Sequence, residues 1–188
     1  MGARYIDGVF FNIFGVFVIS YLTQTIQITR TDALIGVMIA AVMMCFFIPF
    51  FGALSDRVGR ARVYFWGSIF TSLSAIPAFW AMQHSDGNPL VIWVAVAIPL
   101  GVLFASIFGP EAALFCGLFD PPVRYTGISF VYQFSGIFAS GITPLIATAL
   151  IRTYDGQPWG VVGYVLFAGL VSALSARWIG RTQVAKDT

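Results

Sequence analysis

Long apolar runs separated by short polar joints set the pattern of this chain. Six runs stand out, over Tyr5–Thr23, Leu34–Leu54, Val63–Met82, Leu90–Phe119, Gly127–Ile151 and Gly160–Ile179. Each is near the roughly 20 residues that a helix needs to cross the hydrocarbon of a bilayer. The joints read TQTIQITRTDA, SDRVGRAR, QHSDGNP, DPPVRYT and RTYDGQPWG. Joints this short make consecutive helices antiparallel neighbours, and six crossings return the chain to the side on which it began. The pattern predicts an all-α membrane protein, six transmembrane helices in one bundle, with no soluble domain or linker.

Composition points the same way. Of 188 residues, 59% are hydrophobic and only 10% are charged, where a soluble domain carries about 25% charged residues. A net charge of +2 gives no reason to expect a nucleic-acid partner. In a membrane chain the placement of Lys and Arg matters more than their sum. Eight of the ten, namely Arg4, Arg57, Arg60, Arg62, Arg124, Arg177, Arg181 and Lys186, fall on one set of joints, and only Arg30 and Arg152 fall on the other. That asymmetry predicts cytoplasmic termini. Trp80, Trp93 and Trp159 lie near the outer boundary and Trp178 near the inner one, where they are expected to anchor against membrane lipid. The start, MGARYIDGVFF, has one basic residue and no cleavage pattern, so it is not read as a signal peptide.

Several chemistries have no support. Cys45 and Cys116 lie inside apolar runs and the only histidine is His84, in an outward joint. A disulfide framework or zinc site is not expected, and the thiols are read as small buried apolar groups. No phosphate-binding loop, paired His/Glu motif or Ser/His/Asp set is present, so the chain is read as no enzyme and no ATP-driven pump, without a cofactor or metal. Proline falls within the runs at positions 49, 77, 99, 110 and 144, where bundle neighbours can satisfy the freed carbonyls. Small residues four apart, Gly136 with Ser140 and Gly169 with Ala173, suit close helix approach.

The joint GALSDRVGRAR is the one dense cluster of charge. Asp56 precedes Arg60 by four residues, so one helical turn brings them together. Gly52 permits tight packing and Gly59 suits a sharp turn. A basic cytoplasmic loop accounts for the arginines, but not for Asp56 or the glycines around it. The stretch resembles the G-x-L-x-D-R-x-G-R-[KR] signature of the major facilitator superfamily, matched by Gly52, Leu54, Asp56, Arg57, Gly59 and Arg60. Ala61 departs from it, and Arg62 supplies the basic charge one position later.

A second stretch, FGPEAALFCGLFDPPVRYTGISFVYQFSG, is similar to the tenth and eleventh spans of the metabolite:proton symporter family. Gly109, Pro110, Ala112, Leu118, Phe119, Pro121, Arg124, Tyr125, Gly127, Ser129, Tyr132, Gln133 and Pro144 are among the residues that carry the likeness. The resemblance implies the C-terminal six-helix half of a major facilitator fold, two three-helix units related as inverted repeats, set in the cytoplasmic (inner) membrane. It implies alternating access against an N-terminal six-helix half, with symport of protons and a small organic acid such as shikimate or 2-oxoglutarate, or a zwitterion such as proline or betaine. The proton gradient supplies the energy. It also makes Gly52, Asp56, Arg57, Gly59, Arg60 and Arg124 a conformational gate motif. A half-bundle that serves only as an assembly partner or non-transporting remnant is the alternative. A channel built from several copies has no selectivity motif behind it.

Glu111 is the most notable single residue, a carboxylate on an otherwise apolar span. Intramembrane carboxylates are costly and point to a proton or substrate site. Three uses stand beside each other: proton coupling, an ion pair with Arg124 or an arginine of the Asp56 joint, or a solvated end of the span. The family commonly places its glutamate where this chain has Gly117, so the acid here stands in a different position. Asn12, Tyr21 and Gln24 on the first span, and Ser129, Tyr132 and Gln133 on the fifth, are neutral groups suited either to substrate contact or to interhelical hydrogen bonds. Asp7, three residues after Arg4, is expected to pair with it locally.

Overall fold

The computed structural model describes residues 1–184; Lys186, counted above among the basic residues, lies outside them. Six helices long and apolar enough to cross a membrane follow in order. We label them α1 (Gly2–Gln24), α2 (Arg30–Val58), α3 (Arg60–Gln83), α4 (Pro89–Cys116), α5 (Arg124–Thr153) and α6 (Trp159–Val184). No strand occurs among the described residues. The six expected spans are all present, with different ends.

Local chemistry accounts for those ends. Thr29 caps α2 by accepting from the Asp32 amide at 3.2 Å, and its hydroxyl donates to the Asp32 carboxylate at 2.7 Å, so the helix starts earlier than the apolar run. Asn88 caps α4 through the Leu90 amide, with Pro89 at the first helical position. Between α2 and α3 the chain turns on one residue, Gly59, whose φ of 109° lies where a side chain is strained. The sharp turn read from GRAR is therefore as tight as a helical hairpin allows.

Three of the six helices are not uniformly α. Ile13–Phe17 in α1, Ile98–Leu103 in α4 and Ile137–Gly141 in α5 each take π geometry. The α4 segment holds Pro99, whose missing N–H suits a break in the hydrogen-bond ladder.

Burial sorts the helices into pairs. The most apolar windows of α1 and α4 are each 61% buried, whereas those of α2 and α5 are only 11% and 22% buried. The centre is aromatic: Phe10 of α1 stacks on Phe14 at 4.4 Å and faces Phe104 of α4 at 5.9 Å, while Phe14 meets Phe79 of α3 at 5.5 Å. The α3–α6 contact uses small residues, with Gly169 against Ser68 and Ser72 and Ala173 buried. Of the two small-residue pairs expected, this one packs as read. Gly136 does not: nothing lies within 4 Å of where its Cβ would stand, and Ser140 instead faces Gly8 of α1.

Two other expectations need correction. Cys45 is exposed and Cys116 is half-buried, because α2 turns most of its face outward and Cys116 closes α4 beside a cavity. Trp93 does more than anchor at an interface, since its indole N–H donates to the Asp32 carbonyl at 3.0 Å and ties α4 to the first turn of α2.

Candidate functional site

The beginning of α1 is fixed by its neighbours. The Tyr64 hydroxyl on α3, fully buried, donates to the Ala3 carbonyl at 2.6 Å. Ser172 on α6 accepts from the Ile6 amide at 2.9 Å and donates to the Gly2 carbonyl at 3.0 Å. These bonds satisfy backbone groups that the first helical turn leaves open. They also aim Arg4 inward, between α4 and α5.

There Arg4 is the hub of a buried polar cluster. Its Nε donates to Glu111 Oε1 at 3.0 Å, and its Nη1 donates to the Tyr132 carbonyl at 2.9 Å and to Ser135 Oγ at 3.3 Å. Nη2 lies 3.4 Å from Asp7 Oδ2. The guanidinium carbon sits 3.9 Å from the centre of the Tyr132 ring, within range of a cation–π contact. One side chain thus joins α1, α4 and α5. Glu111 is 1% exposed and Asp7 is 5% exposed, and Glu111 Oε2 has no hydrogen-bond partner. A single guanidinium serves two buried carboxylates, so its charge balances only one of them.

The partner of Glu111 is therefore neither Arg124 nor an arginine of the Asp56 joint. Arg124 donates from Nε to the Phe119 carbonyl at 3.3 Å, holding the α4–α5 turn; it does not meet Asp56. Arg60 is engaged twice, by Asp56 Oδ1 at 2.9 Å and by the Ala113 carbonyl at 3.4 Å. The expected Asp56–Arg60 and Arg4–Asp7 pairs both form. Arg57 is exposed with no carboxylate partner among the described residues.

The Asp56 joint nevertheless reaches the Glu111 segment through the backbone. A Cβ on Gly109 would stand 2.8 Å from the Ile48 carbonyl oxygen and 2.9 Å from the Gly52 nitrogen, so α2 and α4 cross where both residues lack side chains. Gly109 precedes Glu111 by two residues, and Ala113, held by Arg60, follows it by two. The carboxylate is bracketed by two contacts from the joint.

Ser129, Tyr132 and Gln133 lie together. With Ala112, Cys116 and Ile128 they line a cavity of about 340 Å³ between α4 and α5, and Ser129 and Gln133 are exposed. The α1 candidates do not join them. The Asn12 amide donates to the Gly8 carbonyl of its own helix at 2.8 Å. Tyr21 is buried between Phe17 and Phe79, its hydroxyl without a partner, and Gln24 is exposed at the end of α1. No group of three metal-ligating side chains occurs among the described residues.

Sequence reasoning missed Arg4 as the hub and Ser135 as one of its acceptors. Arg4 carried a signal, because it is a cation at the start of an apolar span with two acids, Asp7 and Glu111, to serve.

The bundle holds a charged cluster between α1, α4 and α5, and the chain belongs to the Major Facilitator Superfamily, whose family model matches residues 3–188. Among curated proteins it is similar to the shikimate transporter of Escherichia coli K12, 32% identical over 85% of this chain and 36% of that protein. It is also similar to the citrate-proton symporter of Klebsiella pneumoniae, 25% identical over 95% of the chain and 40% of that protein. A third is the ectoine/proline transporter ProP of Corynebacterium glutamicum, 32% identical over 70% of the chain and 26% of that protein. The chain thus spans well under half the length of these relatives. No solved structure matches it.

Proposed function

We propose that this chain is one six-helix bundle, of the C-terminal type, of a secondary active transporter. The transporter carries a small organic acid or zwitterionic metabolite across the cytoplasmic membrane together with protons. The substrate class is drawn from the relatives, whose names specify shikimate, citrate, ectoine and proline. Both termini lie in the cytoplasm in this reading, which the arginine distribution supports.

The observation that carries the reading is the shared guanidinium. Arg4 faces Glu111 and Asp7 inside the bundle, and Glu111 Oε2 is buried without a donor. One proton on Glu111 neutralises the cluster, and its departure restores the charge, so substrate and proton can favour different arrangements of α1, α4 and α5. The Ser129–Tyr132–Gln133 cavity lies one side chain away, since Tyr132 touches both Arg4 and the cavity.

The exposed face of α5 supports a second bundle. Ser129 and Gln133 are exposed within a membrane-spanning helix, and hydroxyl and amide groups at that depth belong against protein or a water-filled path rather than lipid. An N-terminal six-helix half covers that face and completes the substrate path, and the two halves rock about it. The test is co-expression of this chain with a candidate N-terminal half, followed by uptake of radiolabelled organic acids and betaines with and without a proton gradient. Gradient-dependent uptake is expected. Assembly with the partner half and no uptake of any substrate would leave the second reading, an assembly partner.

A further inference from the structure

A larger cavity than the one beside Tyr132 lies elsewhere in the bundle. It opens between the first turn of α3 and the last turns of α6, has a volume of about 760 Å³, and is lined by Arg60, Arg62, Arg177, Arg181, Phe65 and Trp66 together with small residues. Arg60 is paired with Asp56. Arg62, Arg177 and Arg181 meet no carboxylate among the described residues. Guanidinium groups gathered around one concavity repel each other, and an anion in it relieves that repulsion.

The backbone adds to this. Gly59, the N-cap of α3, provides no side-chain cap, and no acidic residue stands in the first turn. The nearest carboxylate to this helix start, Asp56, is taken up by Arg60. The lower wall is different in kind. Phe65 and Trp66 belong to the apolar run of α3, and Trp66 is 55% exposed, which places aromatic surface next to the basic rim as at a membrane interface. A free polyanion would use the rim and leave that wall idle. A molecule with a phosphate head and an apolar body uses both.

We infer that this crevice binds the head group of an anionic phospholipid, its phosphate among Arg62, Arg177 and Arg181 and its glycerol and upper acyl chain against Phe65 and Trp66. Guanidinium forks suit phosphate oxygens, and basic pockets between membrane helices at the cytoplasmic side suit such head groups. A zwitterionic head group gains less, because its own ammonium or choline meets the same arginines. Bound lipid bridges α3 and α6 where Gly180 and Ala61 already approach closely.

The test uses the full chain in nanodiscs of phosphatidylcholine doped with brominated phosphatidylglycerol or, separately, brominated phosphatidylcholine, and reads quenching of tryptophan fluorescence. Stronger quenching by the anionic lipid is expected, with the difference lost in Trp66→Phe. In the combined R62Q/R177Q/R181Q variant, half-maximal quenching should need at least about tenfold more anionic lipid. Arg152→Gln, at the opposite end of the bundle, should leave the titration unchanged. Native mass spectrometry of the same variants reports retained lipid and, through intact charge-state distributions, the folded state. Equal quenching by both lipids, an unchanged titration in the folded triple variant, or displacement of the lipid by millimolar inorganic phosphate would overturn the assignment, the last by making it a soluble-anion site.

Discussion

Arg4 and Glu111 are 107 residues apart in the chain, and their side chains meet at 3.0 Å inside the bundle. The guanidinium also touches Asp7, Ser135 and the Tyr132 carbonyl, so the pair is the junction of three helices rather than an isolated bridge. Removal of the cation leaves two buried carboxylates unbalanced. Arg4→Gln is expected to lower unfolding stability in detergent by about 3–5 kcal/mol. Arg4→Lys should recover little of it, because an ammonium cannot reach four acceptors in these directions. Chemical denaturation of the three proteins checks this.

Glu111→Gln should have the opposite character. Asp7 then has Arg4 to itself, the cluster is neutral, and the fold is retained. In an assembled transporter the substitution should flatten the dependence of uptake on external pH. Proton-driven uptake with an unchanged pH profile would end the coupling role of Glu111.

The Asp56–Arg60 pair is half exposed, at 59% and 46% for its side chains, so water screens it. Asp56→Asn should cost about 0.5 kcal/mol or less in stability. If the joint is a gate element through its contacts with Ala113 and Gly109, transport should fall much further than stability does. Parallel melting and uptake measurements separate the two effects.

Gly109 and Gly136 should respond differently to a side chain. Gly109→Val drives methyl groups into the α2 backbone at Ile48 and Gly52 and should cost about 1–3 kcal/mol by overpacking. Gly136→Ala meets nothing within 4 Å and should be neutral or gain up to about 1 kcal/mol in helix propensity. Thermal melts in one detergent suffice for the comparison.

Cys116 lines the Tyr132–Gln133 cavity, whereas Cys45 lies on the outward face of α2. In a Cys45→Ala background, a small charged thiol reagent should label Cys116, and a transported substrate should slow that labelling. Labelling indifferent to every substrate tested would remove this cavity from the substrate path.

Much of the bundle was legible because its signals are local. The apolar runs, the Gly59 turn and the Asp56–Arg60 and Arg4–Asp7 pairs all depend on residues close together in the chain. The Arg4–Glu111 contact depends on which faces of α1 and α4 meet, and two uniformly apolar helices carry little facial pattern to say so. Arg124 and the arginines of the joint were equally reasonable partners for Glu111 by composition. Arg124 is held by the Phe119 carbonyl and Arg60 by Asp56, while Arg57 and Arg62 stay exposed. The π turns were illegible for a related reason, since an extra residue per turn leaves no mark in a continuous apolar run.

Those turns bear on how the bundle can move. α1, α4 and α5, the helices that meet at Arg4, are the three that contain π segments. A π turn holds one residue more than the α pitch requires. Passing that residue along the helix changes the phase of the segment it crosses by about 100° with a rise of about 1.5 Å, while the hydrogen-bond ladder stays closed on either side. Each of the three helices therefore holds a spare step of winding. Arg4, Glu111 and Tyr132 can be re-clocked against one another without any helix leaving the membrane or unwinding.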